Sequence, residues 1–388
     1  MRVRRCYFLT LAPCERTDFD LLGFVEGGSG LSRRMEWLAV VPHAATSFAV
    51  SAGEAAALGE ISPSEWTELA ALEEQHDRGL LDGLVAKGLL VAEDSEDAVR
   101  DERVRETHWR PESAALHYAS RWHGVDADTM QRELGERYGA ALLEKLGPVP
   151  PAVRERVPVD RRLRLPGARA TPLDALLHAR VTCRNFDATC ALGLDEFAAV
   201  LYRAFGARAV DDYAPGVQLL KKGVPSAGGL HPTEAYLLVQ RVDGIAPGLY
   251  HYHAIDHALE PIRLPSAGEI AAHARTFVGS QPYFLDAPVF VIPVTRFRRN
   301  FWKYRNHAKA YRALVLDVGH LSQTLYLAAT ELGLAAFITA AINEVDIETA
   351  FGLDPLEEGP LAVCGFGRRA AARREVELDP LHAVWPAA

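Results

Sequence analysis

Cysteine is scarce in this chain, and the five present (Cys6, Cys14, Cys183, Cys190 and Cys364) are odd in number and contain no C-x-x-C. Neither a disulfide framework nor a thiolate zinc site follows from such a set. No stretch of about 18 apolar residues occurs, so no membrane-spanning helix is expected. Basic residues are in deficit, with 42 Lys and Arg against 51 Asp and Glu and a formal charge of −9. That balance lacks the basic face needed for sequence-independent nucleic-acid binding. The start, Met1–Thr10, imitates a secretion signal, but its apolar core stops at Pro13 and no small-residue cleavage site follows. It reads as a buried first strand of a cytoplasmic protein.

What is present suits a globular protein of two or three domains: 388 residues, 49% hydrophobic and 24% charged. Residues 1 to 95 form a first unit. Met35–Val41 and Thr46–Val50 read as strands separated by Pro42-His43. Ser62-Pro63-Ser64-Glu65 has the form of a capping box that opens a helix carrying Trp66, Leu69 and Leu72. A helix with Leu80, Leu81, Leu84 and Val85 follows, closed at Gly88, and then the strand Leu89–Ala92. That order reads as a winged-helix-like domain. Its acidic surroundings (Glu93, Asp94, Glu96, Asp97) disfavour DNA.

Residues 96 to 170 read as a helical segment, with Trp109, Leu116, Tyr118 and Trp122 spaced for burial, followed by a linker rich in proline and arginine from Gly147. Residues 171 to 388 hold the features that carry chemistry. Pro225-Ser226-Ala227-Gly228-Gly229 is short on side chains and rich in backbone donors, and it runs through His231-Pro232 into the strand pattern Tyr236–Val239. Glycine lets the main chain approach a ligand closely and adopt positive φ. Upstream, Arg180-Val181-Thr182-Cys183-Arg184 places two permanently charged forks around a hydroxyl, a set suited to a phosphate. Downstream lie Lys303-Tyr304 and a long apolar helix from about Tyr311 to Leu332, which includes Asp317 and His320. Ala287–Val294 and Leu361–Cys364 read as buried strands. Each motif alone also fits a plain structural role: a tight loop, a solvated helix end, a surface lysine beside a packed tyrosine.

In this order the pieces resemble the flavin-dependent nitroreductase superfamily, and within it the SagB/ThcOx-type dehydrogenases of peptide maturation, over roughly residues 170 to 370. Arg180-Val181-Thr182-Cys183-Arg184 is similar to the family's flavin clamp. Pro225–Tyr236 is similar to its Pro-Ser-Ala-Gly signature, and Gly248–Tyr252 to the hairpin that follows. The resemblance implies an α+β nitroreductase-like fold, an antiparallel sheet with a crossing central helix, built as a homodimer with FMN at the interface. One subunit would give Arg180, Thr182 and Arg184, with Val181 acting through its main chain, and the other Pro225, Ser226, Ala227, Gly228 and Gly229. Ala340 and Ala341 would present backbone N–H groups to the ring, and Arg368 and Arg369 would reach the phosphate. Lys303 and Tyr304 match the pair to which azoline-oxidising members owe their catalysis.

The implied activity is oxidation of thiazoline or oxazoline rings to azoles in a ribosomally made peptide, with a cyclodehydratase as a further partner. The first unit would be either a leader-peptide clamp or a structural cap. An NAD(P)H-dependent nitro or quinone reductase and a non-catalytic peptide-binding scaffold are the competing readings. Two departures stand out. Thr339-Ala340-Ala341 replaces the family's glycine step, and the glycine turn lacks the asparagine of ordinary nitroreductases, which favours the peptide-modifying subgroup. No metal site is expected: His251, His253 and His257 are close in sequence, but no carboxylate is seen to join them. His320 reads as a hydrogen-bonded core histidine, and Cys183 as a small half-buried residue.

Overall fold

The computed structural model describes residues 1–25, 27–134, 140–167 and 169–386. The N-terminal region contains β1 (Arg2–Arg5), β2 (Thr10–Phe19), α1 (Leu21–Val25), β3 (Leu31–Val41), β4 (Thr46–Val50), α2 (Ala52–Glu60), β5 (Thr67–Glu68), α3 (Leu69–Leu72), α4 (Arg78–Ala86) and β6 (Leu90–Ala92). A three-stranded sheet of order β5-β1-β6 and a meander β2-β3-β4 share one apolar core with α2 and α4. The first strand is thus central and its Val3 fully buried, but it ends at Arg5, before the apolar run Cys6–Leu9. The two strands around Pro42 and the helix closed at Gly88 (φ 66°) are present.

The capping box expected at Ser62 is not one. Ser62 Oγ does accept from the Glu65 N–H at 3.1 Å, but the chain then extends into β5, and only the single turn of α3 follows. The box that opens a helix is Ser51 with Glu54, at the head of α2. Its run Ala52-Gly53-Glu54-Ala55-Ala56-Ala57 has small side chains and little apolar periodicity to announce it.

Four helices follow: α5 (Glu96–Glu106), α6 (Pro111–Ala119), α7 (Ala127–Leu134) and α8 (Ala140–Leu146). Residues 135–139 of the expected helical segment lie outside the described residues. Trp109 and Tyr118 are buried as their spacing predicted, whereas Leu116 is 62% exposed. A buried ion pair, Arg4 with Asp101 at 2.6 Å, ties β1 to α5. The linker from Pro148 to Thr171 has exposed side chains wherever it is described.

The remainder comprises α9 (Pro172–Ala179), α10 (Leu194–Phe205), β7 (Ala207–Ala214), β8 (Val217–Lys222), β9 (Thr233–Val239), β10 (Gly248–His253), β11 (Ala258–Arg263), α11 (Ala267–Phe277), β12 (Val289–Arg296), α12 (Phe297–Phe301), α13 (Ala310–Glu331), β13 (Ala335–Thr339), α14 (Glu344–Phe351), β14 (Glu358–Pro360) and β15 (Val363–Gly367). Its main sheet is antiparallel, of order β11-β10-β9-β12-β15-β13, with β14 also paired to β12. The central strand β12 is apolar on both faces because both are covered. Val289 and Val291 point to α10 and α13, while Phe290 and Ile292 point to α11 and α14. The last strand begins at Val363 rather than Leu361 and runs through the glycines to Gly367. This is the α+β architecture expected, an antiparallel sheet crossed by one long helix.

Candidate functional site

The glycine turn is built from backbone and held by one carboxylate. Gly228 and Gly229 adopt φ of 63° and 68°, and even His231 is left-handed at 44°. Ser226 Oγ donates to Asp317 at 2.5 Å and accepts from the His231 N–H at 3.0 Å, while the Ala227 N–H donates to Asp317 at 3.3 Å. Asp317 sits on α13 and is 4% exposed, and burial raises its carboxyl pKa. The turn is therefore fastened to the central helix.

Lys303 and Tyr304 come to this turn. A Cβ added at Gly228 would lie 2.8 Å from Tyr304 Oη and 2.9 Å from Lys303 Nζ, whereas one added at Gly229 would meet nothing within 4 Å. Both residues follow α12, with their N–H groups directed to the Asn300 carbonyl at 3.2 Å. Trp109 packs on Phe297 and Phe301, with ring centroids 4.7 Å away in each case, and the Asn306 N–H donates to the His108 carbonyl at 3.0 Å. The loop that carries the pair is thus supported by the helical segment preceding the linker.

The arginine motif follows α9 and packs against another part of the same central helix. Thr182 Oγ1 is 3.0 Å from Tyr326 Oη, and the Arg180 guanidinium stands over the Tyr326 ring, 5.4 Å from its centroid. Val181 is buried, and a bridge between Thr182 and Ala336 docks the motif beside β13. Asp317 and Tyr326 are nine positions apart on α13, or roughly 13 Å at the α-helical rise. Within one chain, the structure brings Lys303 and Tyr304 to the Ser226–Gly229 turn but keeps Arg180 and Thr182 at the other end of α13.

Four expected contacts are altered by partners that pairwise sequence reading could not supply. The Arg184 guanidinium donates to the Val376 carbonyl at 3.3 Å, and its own N–H to Glu377 at 2.6 Å. Arg369 is ion-paired with Glu377, which also accepts from Asn185 Nδ2 at 2.8 Å and Trp385 Nε1 at 2.7 Å. Burial alone would push the Glu377 carboxyl up, but donors from Arg184, Trp385 and Asn185 hold it below its ordinary value. Arg368 is paired with Glu196 at 2.7 Å. Ala341 turns its N–H to Thr339 Oγ1 at 3.2 Å and its carbonyl to Gln281 Nε2 at 2.9 Å, so that N–H is not left for a ligand. Ala340, the step before it, is exposed.

The histidines also differ from expectation. His320 is exposed rather than in the core. His251 lies between two carboxylates, 2.6 Å from Glu260 and 3.2 Å from Glu234, and the bond to Glu234 leads in raising its pKa against the cost of burial. His253 is 3.0 Å from Asp256. Carboxylates do join His251 and His253, through cross-strand neighbours and a tight turn, whereas His257 Nδ1 meets Tyr252 Oη at 2.7 Å. Even so, the described residues hold no group of three side chains placed for a metal. Cys183 is fully buried, and burial pushes its thiol up to about 12.

Lys222 is the residue that sequence reasoning missed. It is 3% exposed, lies at the end of β8, and lines a small cavity with Ser226, His231 and Asp317. Burial lowers its amine pKa to about 8. The only sequence signal was a lysine at an inward position next to the glycine turn.

Residues 177–368 match the Nitroreductase family. This region is a nitroreductase-family domain. The chain is 33% identical over 173 residues to the trifolitoxin-processing protein TfxB of Rhizobium leguminosarum bv. trifolii, a match covering 44% of this chain and 46% of that protein. It is 26% identical over 159 residues to the microcin B17-processing protein McbC of Escherichia coli, covering 40% of this chain and 57% of that one. A protein of Methanocaldococcus jannaschii that carries the name nitroreductase is 28% identical over 207 residues, 53% of this chain and 96% of its own length. The chain thus spans about half the length of the two peptide-processing relatives. Among the described residues, no helix is long and apolar enough to cross a membrane.

Proposed function

We propose that this chain is an FMN-dependent dehydrogenase that oxidises azoline rings to azoles in a ribosomally made peptide. The observation that carries the reading is the meeting of Lys303 Nζ and Tyr304 Oη over Gly228. Azoline oxidation removes a hydride and a proton from adjacent atoms, so a hydride-accepting cofactor needs a proton acceptor beside it. Bound FMN supplies the two-electron acceptor. Lys303 would accept the proton, and Tyr304 would orient the lysine or relay the proton onward. The names of TfxB and McbC, both processing proteins of ribosomal peptide products, support a peptide substrate.

The residues present fit a planar cofactor with a phosphate tail. Gly228 lets Lys303 and Tyr304 close against the turn, and Gly229 faces open space. Arg180 has an aromatic ring but, among the described residues, no carboxylate against its guanidinium, so its charge is available to a phosphate. Arg368 and Arg369, already neutralised by Glu196 and Glu377, are weaker candidates. In this reading two copies share each site. The separation of the two motifs along α13 supports that arrangement, as does the exposed stripe Arg312, Val315, Leu316, Gly319, His320 and Gln323 on this central helix. The N-terminal region would hold the leader, and a cyclodehydratase would supply the azoline in the same cytoplasmic compartment.

A purified protein that is yellow and converts a thiazoline peptide to the thiazole meets this reading. A yellow protein that reduces quinones with NADPH and leaves the peptide untouched sinks it. That outcome would favour the generic reductase, a reading supported by the match spanning nearly all of the M. jannaschii protein. A protein that cannot be loaded with FMN would leave only a scaffold.

A further inference from the structure

A cleft of about 500 Å³ opens beside the glycine turn, a volume typical of ligand sites. Its walls are Gly216–Leu219 of the β7–β8 hairpin, Leu230, Arg296, Arg298, Arg299 and Trp302, and Glu357 with Glu358. Leu230 directly follows Gly229, and Trp302 directly precedes Lys303, so two of the cleft's walls continue along the chain into the candidate site. Arg299 braces the walls, donating from Nε to the Leu230 carbonyl at 2.7 Å and from Nη2 to the Gln218 carbonyl at 3.0 Å.

The charges in the cleft are not all balanced. Arg296 is paired with Glu234 at 3.1 Å, and Glu358 is hydrogen-bonded to Tyr236, with burial raising its carboxyl pKa. Arg298 has no carboxylate partner among the described residues, although the protein as a whole is acidic. Trp302 is 51% exposed and lines the cleft together with Leu219 and Leu230. An arginine and an open aromatic face, side by side at the mouth of a site, suit an acidic side chain and an apolar one on neighbouring residues of an extended chain.

We propose that this cleft seats the residues flanking the reacting ring of the peptide, with Arg298 selecting an acidic residue and Trp302 covering an apolar one. The assignment rests on the peptide-dehydrogenase reading, and its test separates the two. The probes are two synthetic peptides, each with a single thiazoline flanked by Phe-Asp or by Phe-Lys, titrated into the full-length flavin-loaded protein at low salt. Binding is followed by fluorescence anisotropy of a dye on the peptide, and oxidation by mass change.

The Asp peptide is expected to bind about five- to tenfold tighter than the Lys peptide. Arg298→Glu should reverse that order and Trp302→Ala should weaken both, with the flavin spectrum unchanged. Equal binding of the two peptides, or a preference that survives Arg298→Glu, overturns the cleft even if both peptides are oxidised. Arg298-dependent binding without oxidation upholds the cleft and removes the dehydrogenase reading. A shift in oligomeric state on size exclusion, caused by Arg298→Glu alone, would identify the cleft as a subunit contact and overturn its role in substrate binding.

Discussion

Lys303 and Gly228 are far apart in sequence, yet the lysine amine occupies the space where a side chain at 228 would begin, 2.9 Å from a built Cβ. That proximity gives the Lys-Tyr pair a defined place. In the proposed reaction, Lys303→Ala and Tyr304→Phe should retain bound FMN, since neither side chain is needed to hold it. Peptide oxidation should fall by roughly 10²–10⁴ on loss of the proton acceptor. Photoreduction of the bound flavin distinguishes lost chemistry from damaged folding. A Lys303→Ala protein with parental turnover would dismiss the lysine as base.

The two glycines make an internally controlled pair. Both have positive φ, so Gly228→Ala and Gly229→Ala should each cost about 1–2 kcal/mol of stability from backbone strain. Only at 228 would the new methyl also collide with Lys303 and Tyr304. Turnover should therefore fall much further in Gly228→Ala than in Gly229→Ala, at matched melting temperature. Equal losses of turnover would show that the turn alone, not its contact with the pair, matters.

For the phosphate, Arg180→Ala should weaken FMN binding about ten- to a hundredfold, the value of a charge-assisted hydrogen bond. Arg368→Ala should change it little, because that guanidinium is already committed to Glu196. Flavin occupancy after dialysis measures both. Full retention in Arg180→Ala would remove the clamp assignment.

How much of this was legible in the sequence differs between elements for physical reasons. The core of α13 and strand β12 announced themselves because both are long or continuous apolar patterns covered on more than one side. The glycine turn was readable because positive φ restricts residue choice. The Ser62 box misled because a local hydrogen bond from the Glu65 N–H to Ser62 Oγ forms whether or not a helix follows. The partners of Arg184 and Arg369 were illegible because Glu377 reaches them from a C-terminal segment without periodicity. His320 was misjudged because an apolar helix can still present one open face.

Lys222 provides the last test, and it can be read without cofactor or substrate. The residue is 3% exposed, and burial lowers its amine pKa from 10.5 to about 8. The unfolded chain therefore holds a proton on this residue between about pH 8 and 10.5 that the folded protein has released. Where the unfolded state binds more protons, stability rises with pH, here by up to about 1.4 kcal/mol per unit. Below pH 8 the amine is charged in both states, and the full cost of burying that charge is present. Lys222→Met removes the charge, so the apo variant should be more stable than the parent at pH 7, by roughly 3 kcal/mol at most. The difference should shrink steadily as pH climbs from 8 to 10.5. Urea unfolding of both proteins at several pH values gives the difference directly, because other lysines and tyrosines titrate alike in each. If Lys222→Met is less stable at pH 7, the ammonium is satisfied in the folded protein and is no reserve of charge beside the glycine turn. A variant that is more stable but binds FMN less tightly would mean that the protein keeps a costly buried amine because the bound cofactor needs it.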